Sequence, residues 1–264
     1  RRAWAAVALV AATALAGCGS QPSAPPPRFQ GDVPASLLWV GNSFFYFNNG
    51  MNGHLGGLLN AAGVRNVRQT SVTISGAGLD WHDMGSHFKP GTGMARYSFT
   101  PTNDVAFNQF DRAYDMVLMM DCSQCPIHPK LQQAFHDTAK AHAAAARQAG
   151  SEPALFLSWA YQDQPQMTEQ LAAEYIKAGR ANNMRVVPAG PAFAASIAKR
   201  PDLNLYAPDK RHPSLAGTYL GAAVVMASLF KKSPVGNGYT AGLPADVALH
   251  LQTVAWETVQ SFKP

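Results

Sequence analysis

Ser36-Leu37-Leu38-Trp39-Val40-Gly41-Asn42-Ser43 decides how this chain folds. Its first five residues form a short apolar run of strand length and composition, and Gly41-Asn42-Ser43 breaks that run. Working outward, Met51 to Ala62 predicts a helix, weakened by Gly53, Gly56 and Gly57. Val67 to Ile74 and Tyr114 to Met120 predict two more strands. Regular alternation follows. Helices are expected over 130–149, 167–181, 191–199, 213–230 and 244–262, and strands over 154–159 and 185–187. Strands that alternate with helices imply a mostly parallel sheet covered on both faces. Between Ser75 and Phe110 lie glycines and aromatics with little periodicity, and a loop that long inside a domain is usually functional.

Composition fits this class. The chain has 264 residues, 47% hydrophobic and 14% charged, enough for a sizeable core. Its formal charge is +5, or +3 without the two arginines at the start. Basic residues are too few and too scattered for a nucleic-acid partner.

Arg1-Arg2 precedes an apolar run from Ala3 to Ala16, then Gly17-Cys18. A charged head, a short apolar segment and small residues at the cut read as a secretory signal over 1–17. Leu15-Ala16-Gly17-Cys18 is similar to a bacterial lipobox, which implies lipidation of Cys18 and a membrane partner through that anchor. Gly19 in place of an inner-membrane-retaining Asp implies an outer-membrane anchor facing the periplasm. Residues 18–34, rich in Pro, Ser and Ala, read as a flexible tether, and 35–264 as one domain. In such an oxidising compartment Cys122 and Cys125 are expected to close a local disulfide. A redox role is the alternative. Zinc would need further ligands, so no metal or other cofactor is expected.

Active sites of open parallel sheets lie beyond the carboxyl ends of the strands. Three such ends carry distinctive residues: Gly41-Asn42-Ser43, Ser75-Gly76-Ala77-Gly78 and Asp121-Cys122-Ser123-Gln124. Asp209-Lys210-Arg211-His212-Pro213-Ser214 follows just before a late helix. A serine hydroxyl needs a base, and an imidazole base needs an acceptor on its other nitrogen. Ser43, His212 and Asp209 supply these three roles. The N–H groups of Ser43 and Gly76 and the amide of Gln124 are the candidate oxyanion donors. Each motif alone is weak, since chance placement gives about 0.4 Asp-x-x-His matches in such a chain. Ser43 could be a helix cap and Asp209 a turn residue. Their order along the chain favours chemistry. The nucleophile elbow of α/β-hydrolases is disfavoured, because Phe45 stands where its second glycine belongs.

These blocks resemble those of the SGNH hydrolases, the GDSL-like esterases and lipases. Val40-Gly41-Asn42-Ser43-Phe44 is similar to the first block in its Gly-Asn-Ser form, Thr73-Ile74-Ser75-Gly76 to the second, and Asp209 to Ser214 to the fifth. The resemblance implies a three-layer α/β/α sandwich of flavodoxin-like type and hydrolysis through an acyl-enzyme without metal. The third block departs from the Gly-x-Asn-Asp pattern, with Gln124 carrying the expected amide one methylene further out. The expected substrate is a small ester, such as an acetyl ester, or an O-acylated glycan. A non-catalytic glycan-binding or envelope-assembly lipoprotein is the alternative. Trp159 and Tyr161, after the fourth strand, are expected to line the pocket. His82 and His87 are expected to pack or bond locally in the long loop. His54 and His128 are expected in surface or capping roles, and His136 and His142 on a solvated helix face.

Overall fold

The computed structural model describes residues 26–89, 97–99, 105–107 and 113–264. The signal segment 1–17 and Cys18 lie outside the described residues. Seven strands form among the described residues: β1 (Ser36–Gly41), β2 (Arg68–Thr73), β3 (Tyr97–Phe99), β4 (Val105–Phe107), β5 (Met116–Met119), β6 (Glu152–Phe156) and β7 (Arg185–Val187). The helices are α1 (Ser43–Tyr46), α2 (Met51–Ala61), α3 (Gln132–Gln148), α4 (Met167–Ala181), α5 (Ala189–Lys199), α6 (Leu215–Leu229) and α7 (Ala245–Ser261).

Five strands make one sheet in the order β2-β1-β5-β6-β7, every neighbouring pair parallel. Counting only these strands, the order is 2-1-3-4-5, the flavodoxin-like winding. β3 and β4 pair antiparallel as a separate ribbon. β1 and β5 are buried along their whole length because helices cover both faces. One layer packs α2, α5, α6 and α7 together, and α3 and α4 lie on the other face. α6 is apolar nearly all round and almost wholly buried, as a helix enclosed on every side must be. Its Gly217 permits a close approach: a Cβ there would lie 2.3 Å from the carbonyl oxygen of Leu205. That contact seats the start of α6 against the segment leading into Asp209.

The expected long loop is partly organised. Leu79–Trp81 and Met84–Phe88 form short 3-10 turns that pack against α3. The end of the Pro-rich tether is docked. The Phe29 N–H donates to the Gly150 carbonyl at 2.8 Å, and Lys231 pairs with Asp32 at 2.8 Å. An aromatic ring among the prolines supplies the apolar anchor, since Phe29 packs against the core. No described helix is long and apolar enough to cross a membrane.

Candidate active site

β1 delivers Ser43 to the carboxyl edge of the sheet. Asn42 caps α1, its side-chain oxygen accepting the Phe44 N–H at 3.2 Å. The asparagine and the serine therefore divide the roles, Asn42 being the cap and Ser43 the first helical residue. The Asn42 side-chain NH₂ donates to the carbonyls of Ala77 (3.0 Å) and Asp121 (3.1 Å). One buried amide thus ties together the chain following β1, β2 and β5.

Asp209 and His212 reach the serine from a turn before α6. Lys210 takes the left-handed conformation, φ 63°, which lets the chain double back so that the Ala207 N–H donates to the His212 carbonyl at 2.8 Å. The Trp159 indole N–H donates to the Arg211 carbonyl at 3.0 Å, and Asn48 donates to the Pro213 carbonyl at 2.9 Å. Asp209 Oδ1 accepts the N–H groups of Arg211 and His212, both at 3.0 Å. Its Oδ2 accepts from His212 Nδ1. Nδ1–H in that bond leaves the Nε2 lone pair facing Ser43, whose Oγ lies 2.8 Å away. The bond from the His212 ring, with help from the two N–H donors, holds the Asp209 carboxyl down at about 2, so it is ionised at neutral pH. Phe47 stacks on the His212 ring at 4.1 Å and Phe44 meets it edge-on at 5.4 Å, fixing the plane of the imidazole.

Beside the serine lies a cleft of about 140 Å³, lined by Asn42, Ser43, Phe44, Gly76, Cys122, Ser123, Arg211 and His212. Gly76 has φ +71°, which disfavours any side chain, and a Cβ there would meet nothing within 4 Å. Its neighbours are held from behind. Asp121 Oδ1 accepts the N–H groups of Leu79 and Cys122, both at 2.8 Å. Burial pushes the Asp121 carboxyl up to about 6, against the pull of those two donors.

The structure brings Ser43, Gly76, Asp209 and His212 together and leaves three expected residues elsewhere. Cys122 and Cys125 are joined by a disulfide, Cα–Cα 5.2 Å. A loop closed across three residues turns too sharply for consecutive side chains to share one face. Ser123 lines the cleft and Gln124 does not. Trp159 is fully buried, stacked between Phe44 (4.8 Å) and Phe193 (4.3 Å), and so props the site from within the core rather than lining its rim. Tyr161 is buried too. Its hydroxyl meets Ser123 Oγ at 2.6 Å behind the cleft wall, and it faces a larger cavity of about 760 Å³ that holds no triad residue.

Three histidine expectations change as well. His54 is buried, bonded to the Asn48 carbonyl (2.7 Å) and the Tyr239 hydroxyl (2.9 Å). His142 is buried, its Nε2 donating to the Leu79 carbonyl at 2.9 Å. His136 is half-buried and pairs with Glu174 at 2.6 Å. His82 bonds the Gly41 carbonyl at 3.0 Å, two residues before Ser43. Asn42, Asp121, Ser123 and Arg211 lie within the distinctive motifs of the sequence, which gave none of them a role of its own in the site. Among the described residues no group of three or more His, Cys, Asp or Glu is placed to hold a metal ion.

No protein-family model matches the sequence. No curated protein matches it either. Solved structures do. A DUF4886 family protein from Bacteroides uniformis superposes with TM-score 0.58 at 16% identity, over 86% of this chain and 95% of the other. A protein from Slackia heliotrinireducens assigned to the SGNH hydrolases gives 0.54 at 23% identity, over 73% and 97%. A catalytic mutant of an acetylxylan esterase from Geobacillus stearothermophilus gives 0.52 at 16% identity, over 74% and 93%. The three-layer α/β/α sandwich of this chain is the SGNH-hydrolase fold.

Proposed function

We propose that this chain is a serine esterase of the SGNH-hydrolase superfamily, cleaving a small acyl ester through an acyl-enzyme. One observation carries the reading: Ser43 Oγ lies 2.8 Å from His212 Nε2, whose Nδ1 is held by Asp209. His212 takes the serine proton as Oγ attacks the ester carbonyl. Asp209 stabilises the imidazolium that forms. Ser43 and Gly76 line the cleft, and their N–H groups stabilise the oxyanion that develops there. His212 then returns the proton to the departing alkoxide. Water, activated by the same imidazole, releases the acyl group. The small cleft favours an acetyl-sized group over a long chain. Structural likeness to an acetylxylan esterase supports an O-acetylated glycan as the alcohol portion. The proposal includes export and lipidation at Cys18, with an outer-membrane anchor facing the periplasm. Labelled palmitate retained by the wild type and lost in Cys18→Ala tests that part.

Ser43→Ala is expected to abolish hydrolysis of p-nitrophenyl acetate while leaving the melting transition in place. Full residual activity overturns the assignment. Failure of a fluorophosphonate to label Ser43, together with glycan binding that brings no ester turnover, would support the non-catalytic reading instead.

A further inference from the structure

We propose that the Ser123 hydroxyl is the third oxyanion donor of this site and that Tyr161 is its positioning residue. This rests on the esterase reading above and assigns it a group that neither the triad nor the Gly76 turn supplies.

Ser43 and Gly76, which bring the two backbone donors, line the cleft. Cys122, Ser123 and Arg211 line it as well. Of these, only Ser123 offers a short neutral side-chain donor. The Arg211 guanidinium is otherwise engaged: it donates to the Asp209 carbonyl at 2.9 Å and lies over the Tyr161 ring at 4.4 Å. Ser123 is held on both sides in sequence, by the Cys122–Cys125 disulfide and by Asp121, whose carboxylate accepts the Cys122 N–H at 2.8 Å. A donor fixed before the reaction is worth far more than one that must be ordered during it.

Ser123 Oγ and the Tyr161 hydroxyl lie 2.6 Å apart, in a hydrogen bond whose distance allows either oxygen to donate. A phenol is a stronger hydrogen-bond donor than an aliphatic alcohol, and a guanidinium over its ring withdraws electron density and strengthens it further. Tyr161 therefore donates and Ser123 accepts. A hydroxyl carries one proton and two lone pairs, so this arrangement leaves the Ser123 proton free to turn into the cleft. Accepting one hydrogen bond also polarises the serine for donating the next. Tyr161 itself is rigid: it is buried, and the adjoining Gln162 N–H donates to the Lys210 carbonyl at 3.0 Å. The same contact links the donor wall to the turn that carries Asp209 and His212.

The test is steady-state hydrolysis of p-nitrophenyl acetate by the full-length protein and its variants. Ser123→Ala should lower kcat about 10²- to 10³-fold with KM changed less than about threefold. Ser123→Thr, which restores a hydroxyl, should recover most of that loss. Tyr161→Phe should lower kcat about tenfold in the wild-type background and not at all in the Ser123→Ala background, a coupling that a merely structural tyrosine would not produce. Thermal melting of each variant separates misfolding from lost chemistry, and if Ser123→Ala folds poorly, a folded Tyr161→Phe variant with unchanged kcat overturns the proposal. An active wild type whose Ser123→Ala variant keeps more than half its kcat overturns this proposal alone. So does a larger loss in Gln124→Ala than in Ser123→Ala, or equal effects of Tyr161→Phe in both backgrounds. A wild type with no ester hydrolysis overturns this proposal together with the esterase reading.

Discussion

The side-chain amide of Asn42 donates to the backbone carbonyl of Asp121 at 3.1 Å, across the end of the sheet from β1 to β5. Its second proton goes to Ala77 at 3.0 Å. Removing the amide leaves two buried carbonyls unpaired, each costing about 1–3 kcal/mol. Asn42→Ala should therefore destabilise the protein by about 2–4 kcal/mol and depress kcat, because the Ser43 and Gly76 turns lose their common brace. Asn42→Asp should be at least as harmful at neutral pH, since a carboxylate has no proton to give either carbonyl. Urea unfolding of both variants checks this. An aspartate variant as stable as wild type would show that the amide is not the brace.

In the proposed esterase, Asp209 would act through the tautomer of His212. Asp209→Asn keeps the shape but favours the wrong ring nitrogen for the proton, so kcat should fall about 10²- to 10⁴-fold with little change in KM. The folded Asp209 carboxyl is held at about 2, below its unfolded value of 3.8. Its stabilising effect is therefore present above the unfolded value and lost as pH falls towards 2. The stability difference between wild type and Asp209→Asn should accordingly shrink as pH falls from about 4 towards 2, which urea unfolding at several pH values checks. A difference that stays constant over that range would show that His212 does not hold the carboxylate down.

His82, His87 and His142 form a buried group beside the turn that carries Ser43. The first two rings lie 6.2 Å apart, and the cluster bonds the carbonyls of Gly41 and Leu79. The acidic charges that act on them are Asp80 and Asp83 on the loop. Burial lowers all three imidazoles, His87 to about 4. Below about pH 6.5 the unfolded chain takes up protons that the folded one refuses, so stability is lost as pH falls from there towards 4. Asp121, raised to about 6 by burial, acts in the opposite direction between 6 and its ordinary 3.8. Comparing wild type with His87→Phe cancels the aspartate. The stability difference should move in the variant's favour by on the order of 2 kcal/mol from pH 7 to pH 5. A difference that does not change with pH would mean that His87 is hydrated and titrates normally.

Trp159 is the middle ring of a stack with Phe44 and Phe193 and holds the Arg211 carbonyl. Trp159→Ala should cost about 3–5 kcal/mol. Trp159→Phe keeps much of the stack but leaves that carbonyl without its donor. It should lower kcat more than its modest effect on melting would suggest, because Arg211 adjoins His212. Melting and turnover that decline in strict proportion across the two variants would show that the indole N–H contributes packing alone.

The alternation of apolar runs and amphipathic stretches was enough to predict a mostly parallel sheet covered on both faces, because the inner strands β1 and β5 are buried throughout and read as apolar runs. α4 and β7 fall where the periodicity places them. Ser43, Asp209 and His212 were legible because a serine after the first strand and an Asp-x-x-His before a late helix are local patterns. What the sequence could not decide was orientation. Trp159 and Tyr161 lie two residues apart, and whether each faces solvent or core depends on α5 and on the turn at Lys210, both distant in sequence. Ser123 and Gln124 are adjacent, and only the disulfide-closed turn decides which of them borders the cleft. Burial of His82, His87 and His142 follows from a loop folding onto α3, a contact between segments some 60 residues apart. Local chemistry selected the residues able to react; long-range packing selected which of their neighbours could reach the reacting atoms.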